Sequence, residues 1–187
     1  MPIIAFLGKT INEYISNALI LLSALEFYCP VCGEKMARHS KYSRHIKDKD
    51  AAIWIYRFKC KNKSCKKTQA VLPDFIAPHK QYSAVEIESV LLDSIETKPE
   101  DIDTPASIAT VRRWIRFYEA ETTGWISNLK AILLTQTGKV MSELRLSCHF
   151  MEQLSVILEE LPAIKTSGNV LGAVLIYISA YAIQKFT

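Results

Sequence analysis

Cys29-Pro30-Val31-Cys32-Gly33 and Cys60-Lys61-Asn62-Lys63-Ser64-Cys65 form two cysteine pairs separated by a basic segment. Two thiols with two residues between them can face one ion, because the turn after the first folds the chain back and Gly33 supplies the positive φ that such a turn favours. The second pair has four intervening residues, the upper end of the usual spacing for a metal knuckle. The interval between the pairs is long enough for a β-hairpin. Cys29, Cys32, Cys60 and Cys65 are therefore expected to hold one structural Zn2+ in a four-thiolate tetrahedron, with Zn–S distances of about 2.3 Å. A disulfide framework would need an oxidising compartment and would leave Cys148 odd. A thioredoxin-like redox pair would need its cysteines at the start of a helix in a βαβ setting, which a basic hairpin does not supply.

Between the pairs the sequence reads as β. Lys35 to Ile46 forms one arm, Lys47 to Asp50 the turn, and Ile53-Trp54-Ile55-Tyr56-Arg57-Phe58 the other arm, rich in the β-branched and aromatic residues that suit a pleated surface. Trp54, Tyr56 and Phe58 alternate with Ile53, Ile55 and Arg57, which predicts an aromatic face. Those rings serve either as the small core beside the metal or as a stacking platform for bases.

Net charge is only +4 over 187 residues, yet its distribution is uneven. Lys35, Arg38, Lys41, Arg44, Lys47, Lys49, Arg57, Lys59, Lys61, Lys63, Lys66 and Lys67 stand against Asp48 and Asp50 alone in that span. Such a patch concentrates a polyanion and releases its counterions, so nucleic acid is the expected partner. Arg38, Lys41, Arg44, Arg57, Lys59, Lys61, Lys63, Lys66 and Lys67 are the candidate phosphate contacts; a solvated hairpin surface is the competing reading.

Outward from the cysteines, Pro2 to Leu7 reads as a strand. Thr10-Ile11-Asn12-Glu13 is a capping box for a helix to Leu25 whose inner face would be Ile11, Tyr14, Ile15, Ala18 and Leu22. After Cys65, Pro73 and Pro78 predict an extended segment leaving the ribbon, with Asp74 as a turn residue and His79 as a surface or packing residue. Ser83-Ala84-Val85-Glu86 caps a helix carrying Ile87, Val90, Leu91 and Ser94, stopped at Lys98-Pro99. Beyond an acidic linker at Glu100 to Thr104, a helix starting near Pro105 places Ile108, Val111, Ile115 and Tyr118 inward. Arg112, Arg113 and Arg116 stay on its surface. The C-terminal part, 124–187, is apolar and helical, in segments from Trp125 to Leu134, Val140 to Leu161 and Asn169 to Phe186, with Cys148 expected in the core and His149 mid-helix. Val170 to Ile183 is shorter than the roughly 20 residues a membrane span needs, so a buried or self-associating helix is expected.

Thr110-Val111-Arg112-Arg113-Trp114 resembles the second helix of the helix-turn-helix domains of transposases and regulators, where Arg reaches guanine in the major groove and Thr contacts bases or phosphates. Its preceding linker is longer than the tight turn of that motif and lacks Gly. The order Cys-Pro-x-Cys-Gly, basic hairpin, Tyr56-Arg57-Phe58-Lys59-Cys60, Cys65, Leu72-Pro73-Asp74-Phe75-Ile76-x-Pro78 and Tyr82 resembles a bacterial zinc-ribbon family without an assigned activity. That family is similar to the N-terminal zinc ribbons of insertion-sequence transposases. The resemblance spans roughly residues 28 to 120 and implies a DNA-binding role in or near mobile elements. The four-residue second knuckle, and His79 where an aromatic residue is expected, depart from its pattern.

The expected fold is thus α+β: an N-terminal strand and helix (1–27), a four-Cys zinc ribbon (28–82), a helix-turn-helix-like region (83–123) and a helical remainder (124–187). No strand after residue 82 can carry the paired carboxylates that metal-assisted phosphoryl transfer requires; Asp93, Asp101, Asp103 and Glu119 fall on helices or in the linker. A non-enzymatic, double-stranded-DNA-binding protein is expected, without a small-molecule substrate. Two alternatives are a ribbon that docks a protein partner and one that binds RNA or single strands. The N-terminus lacks a basic, apolar, cleavable leader, so a cytoplasmic location is expected.

Overall fold

The computed structural model describes residues 2–140 and 149–184, with side chains to residue 179. Among them lie a four-stranded sheet and five helices, in the order β1 (Ile3–Ala5), α1 (Ile11–Ser23), β2 (Met36–Ile46), β3 (Ala51–Cys60), β4 (Thr68–Pro73), α2 (Ala84–Asp93), α3 (Ile108–Thr137), α4 (Phe150–Glu160) and α5 (Val170–Gln184). The α+β class and the hairpin between the cysteine pairs are as expected.

β2 and β3 pair antiparallel from Ile46–Ala51 to Met36–Cys60, across a turn at Lys47–Lys49 that ends in left-handed Asp50 (φ 41°). The register shifts between Arg38 and Ser40, leaving His39 as an extra residue that bends β2. Trp54, Tyr56 and Phe58 share a face by strand alternation, and that face is graded. Phe58 is buried, with its ring 4.6 Å from that of Phe27, whereas Trp54 is half exposed. Ile46, Ile53 and Ile55 are buried on the other face.

The segment after Cys65 does not leave the ribbon. Thr68–Pro73 is itself a strand, antiparallel to β3 and parallel to β1, in the sheet order β1-β4-β3-β2. Pro73 is tolerated because it is the last residue of the strand. Asp74 is likewise more than a turn residue: it is fully buried, and its Oδ2 accepts from the amide and hydroxyl of Ser167, 2.6 and 2.9 Å away.

Both expected helix caps form, each with a changed partner. Thr10 and Ser83 accept from Glu13 N and Glu86 N, both at 3.1 Å. Glu13 reaches back to the amide of Lys9, and Glu86 accepts from the Thr104 hydroxyl. The Ser83 amide and hydroxyl instead donate to Asp48 in the hairpin turn, at 2.7 and 2.6 Å. On α1, Tyr14, Ala18 and Leu22 are buried, but Ile15 is exposed, a correction to the expected inner face.

α3 begins at Ile108, capped by Ser107, rather than near Pro105, and it runs unbroken through Gly124 to left-handed Gly138. A helical glycine costs about 1 kcal/mol. Val111, Trp114, Tyr118, Thr122, Trp125, Leu129, Ile132 and Leu133 form one buried stripe along α3, and their burial outweighs that cost. The separate helix expected from Trp125 is therefore the second half of α3.

α4 starts at Phe150, not Val140, and His149 is its N-cap, with Nδ1 accepting from Met151 N. Val140 is exposed and non-helical; Cys148 lies outside the described residues. No helix among the described residues is long and apolar enough to cross a membrane. Leu171, Val174, Leu175, Tyr177 and Ile178 of α5 are buried within the chain. Ser179 of the same helix accepts the amide of Ile4 (3.0 Å), and the Tyr177 hydroxyl donates to the Pro162 carbonyl. One continuous core extends from Ile3 to Ile178.

Candidate metal centre and basic surface

The first knuckle is closed by main-chain bonds. Cys29 N donates to Glu34 O and Gly33 N to Cys29 O, both at 2.8 Å, with Gly33 at φ 71°. In the second, Cys60 N donates to Lys67 O (2.8 Å), while Cys65 N and Lys66 N both donate to Asn62 O. Asn62 Oδ1 also accepts from Ser64 N at 2.9 Å, the side-chain turn for which Asn is suited. Lys61 N to Lys35 O (3.1 Å) ties the two knuckles together across the base of the hairpin.

These turns bring all four sulfurs within 4.8 Å of one another, and the set can hold a metal ion. Cys29 Sγ lies 3.7 Å from Cys65 Sγ and Cys32 Sγ 3.5 Å from Cys60 Sγ, so each contact joins one knuckle to the other. All four are free thiols; Cys29 and Cys60 are buried and Cys32 is exposed. Burial pushes the Cys29 thiol up, but the amides of Val31 and Cys32 and the neighbouring thiols outweigh it and hold Cys29 down at about 7. Burial and the neighbouring sulfurs push Cys60 up to about 12. Of these two thiols, Cys29 is therefore the readier to ionise. Binding a cation requires the remaining protons to leave.

Around this centre the basic side chains stand outward. Arg38, Lys41, Arg57, Lys59, Lys61, Lys63, Lys66 and Lys67 are exposed, and none is in an ion pair among the described residues. Lys41 Nζ sits 4.2 Å from the centre of the Trp54 ring. Arg44 is placed differently: half-buried, its guanidinium donates to the carbonyls of Ala77 (2.7 Å) and Lys80, tying the segment after β4 to the hairpin. Burial holds Arg44 below the ordinary arginine range.

On α3, Arg112, Arg113 and Arg116 are exposed as expected. Arg112 is paired with Glu100 at 3.2 Å, and Arg116 Nε donates to the Arg112 carbonyl. Thr110 lies at the capped first turn, its hydroxyl 3.0 Å from that of Ser107. The role of Asp48 as the anchor of the hairpin turn is not apparent from the sequence. The one signal for it is that Asp48 and Asp50 are the only acids in a long basic run, and a lone carboxylate there needs a reason.

A DUF6431 domain, a domain of unknown function, covers residues 29–114. That span opens on the first knuckle cysteine and closes on Trp114, so it contains both knuckles, β2 to β4, α2 and the arginine-bearing start of α3. No curated protein and no solved structure matches the chain.

Proposed function

We propose that this is a non-enzymatic DNA-binding protein in which Cys29, Cys32, Cys60 and Cys65 hold one structural Zn2+. Zinc suits the donor set: a tetrahedron with Zn–S bonds of about 2.3 Å separates its sulfurs by roughly 3.8 Å. The contacts of 3.7 and 3.5 Å between knuckles are close to that spacing. Four protein thiolates leave no open coordination position, which favours a fold-holding ion over a catalytic one.

The observation that carries DNA binding is the set of exposed cations on β2, β3 and the second knuckle that lack carboxylate partners among the described residues. Cations left free on a metal-stapled hairpin suit phosphates, whose condensed counterions they displace. Arg113 and Arg116 extend the charge onto α3, and α2 and α3 are the helices of the helix-turn-helix-like reading.

Duplex binding followed by fluorescence anisotropy against salt tests this reading. Replacing Lys61, Lys63, Lys66 and Lys67 with Gln should weaken binding and flatten the salt slope by about one for each phosphate no longer neutralised. No binding at low salt, or binding indifferent to the four changes, sinks it. The half-exposed Trp54 beneath Lys41 favours one second reading, a single-strand binder that stacks bases. In that case Trp54→Ala would cost more affinity for single strands than the lysine changes cost for duplex.

A further inference from the structure

Away from the metal centre, the hairpin turn, the segment before α2 and the start of α3 enclose a cleft of about 360 Å³ lined by Lys47, His79, Lys80, Tyr82, Thr110 and Arg113. Its walls are fixed. Lys47 N donates to Gln81 O at 2.8 Å, the Tyr82 ring lies edge-on 4.9 Å from buried Trp114, and the Tyr82 hydroxyl donates to the Pro105 carbonyl. Lys80 Nζ is held 3.8 Å from the centre of the Phe117 ring.

No carboxylate among the described residues lines the cleft. The acid nearest in sequence, Asp48, is turned to Ser83 and Lys49, and Glu100 is engaged by Arg112. Burial and then the charge of Arg113 hold the Lys80 ammonium below the ordinary lysine range, so these two cations feel each other. Three cationic residues from three separate elements thus line one cleft with no carboxylate in its lining, an arrangement that an anion would stabilise.

We infer that this cleft is a phosphate-binding site, seating a phosphate group between Lys47, Lys80 and Arg113 with the Thr110 hydroxyl as a further donor. The identity of the phosphate rests on the DNA-binding reading: it is a backbone phosphate of the duplex. The site would then lock the hairpin turn and α3 onto one strand and set the register in which both basic surfaces meet the DNA.

The test measures duplex affinity against salt for the full chain and for K47Q, K80Q, K80R and R113Q, with K61Q/K63Q as a control away from the cleft. Lys47 and Arg113 are exposed, so their substitution does not disturb the core. K80Q and R113Q should each weaken low-salt binding roughly tenfold and lower the salt slope by about one, while K80R keeps both. Wild-type behaviour in the cleft variants, with weakened K61Q/K63Q, overturns the cleft and leaves DNA binding standing. A second arm follows thermal unfolding with inorganic phosphate. Phosphate that stabilises the wild type but not R113Q, in a protein that binds no duplex, keeps the site and removes the DNA reading. Neither duplex binding nor phosphate stabilisation overturns both.

Discussion

Gly33 and Lys66 hold the same place in the two knuckles: each follows the second cysteine of its pair, each has a left-handed backbone (φ 71° and 51°), and each donates its amide to the carbonyl four residues back. In the first knuckle that carbonyl belongs to Cys29, and in the second to Asn62. The wider second spacing therefore sets Cys60 two residues ahead of an otherwise equivalent turn, which opens on Asn62 where the first opens on Cys29.

Only the first turn carries the residue that this conformation favours. A side chain in the left-handed region costs about 1–2 kcal/mol, partly offset because glycine loses more freedom on folding. Lys66→Gly should therefore raise the stability of the metal-bound protein by about 0.5–1 kcal/mol, read from the urea midpoint at constant slope. A lowered midpoint would mean that the two turns are not equivalent.

Gly124 offers a second gain. It lies within α3, and a Cβ built there meets nothing within 4 Å. Gly124→Ala should stabilise by about 1 kcal/mol, through helix propensity alone. Gly172 on α5 is the contrast, because its Cβ would stand 2.5 Å from the Asp74 carbonyl and 2.6 Å from Asn169 Oδ1. Gly172→Ala should lower the melting temperature while Gly124→Ala raises it; equal shifts would refute the packing described at both positions.

The four-cysteine cluster, the hairpin, its turn and the helix caps are legible in the sequence because each rests on local chemistry: cysteine spacing, β-branched runs and capping hydroxyls. The features that are not legible depend on distant partners. Thr68–Pro73 carries prolines nearby and looks like a linker, yet it becomes a strand because β1 and β3 flank it from opposite ends of the first 73 residues. Gly124 looks like a boundary, yet the buried stripe on both sides of it holds one helix. Arg44 reads as one more phosphate contact, and only the tertiary fold reveals that its guanidinium is bonded to the carbonyls of Ala77 and Lys80. The cleft at Lys47, Lys80 and Arg113 is invisible for the same reason: its three cations come from three elements that no sequence period links.

Because Cys29–Cys65 and Cys32–Cys60 both cross between knuckles, removing one ligand should open the base of the hairpin rather than a single turn. Purified protein should carry about one zinc per chain, and Cys60→Ser should lose it. Structural zinc binding is worth about 10 kcal/mol or more, comparable to the whole stability of a domain, so chelation should expose the amides of β2 and β3 to hydrogen exchange. Folded, metal-free protein with an unchanged exchange pattern would rule out a structural ion.

Two carboxylates, buried Asp74 after β4 and half-buried Glu88 on α2, hold the segment before α5 and the start of α5, and both are displaced in the same direction. Asp74 is raised above the ordinary carboxylate range by burial, only partly offset by the amide and hydroxyl of Ser167 and by the backbone amides of Asp74 and Phe75. Glu88 is raised by burial against the helping amides of Leu171 and Val170, the first of them 2.9 Å from its Oε2. A raised folded pKa means that the native state holds the proton more tightly than the unfolded chain. The associated stability is present below the unfolded value and is lost as pH rises through the folded one. The window thus opens near pH 4 and extends upward from there. Thiolate binding to a metal works oppositely, since it strengthens as protons leave, so the diagnostic quantity is a difference between variants. Asp74→Asn keeps an acceptor for Ser167 and cannot ionise. Its stability relative to wild type should therefore improve as pH rises from about 4 to about 7, measured by urea unfolding at each pH. Parallel curves for the two proteins would show that Asp74 titrates no differently in the folded chain.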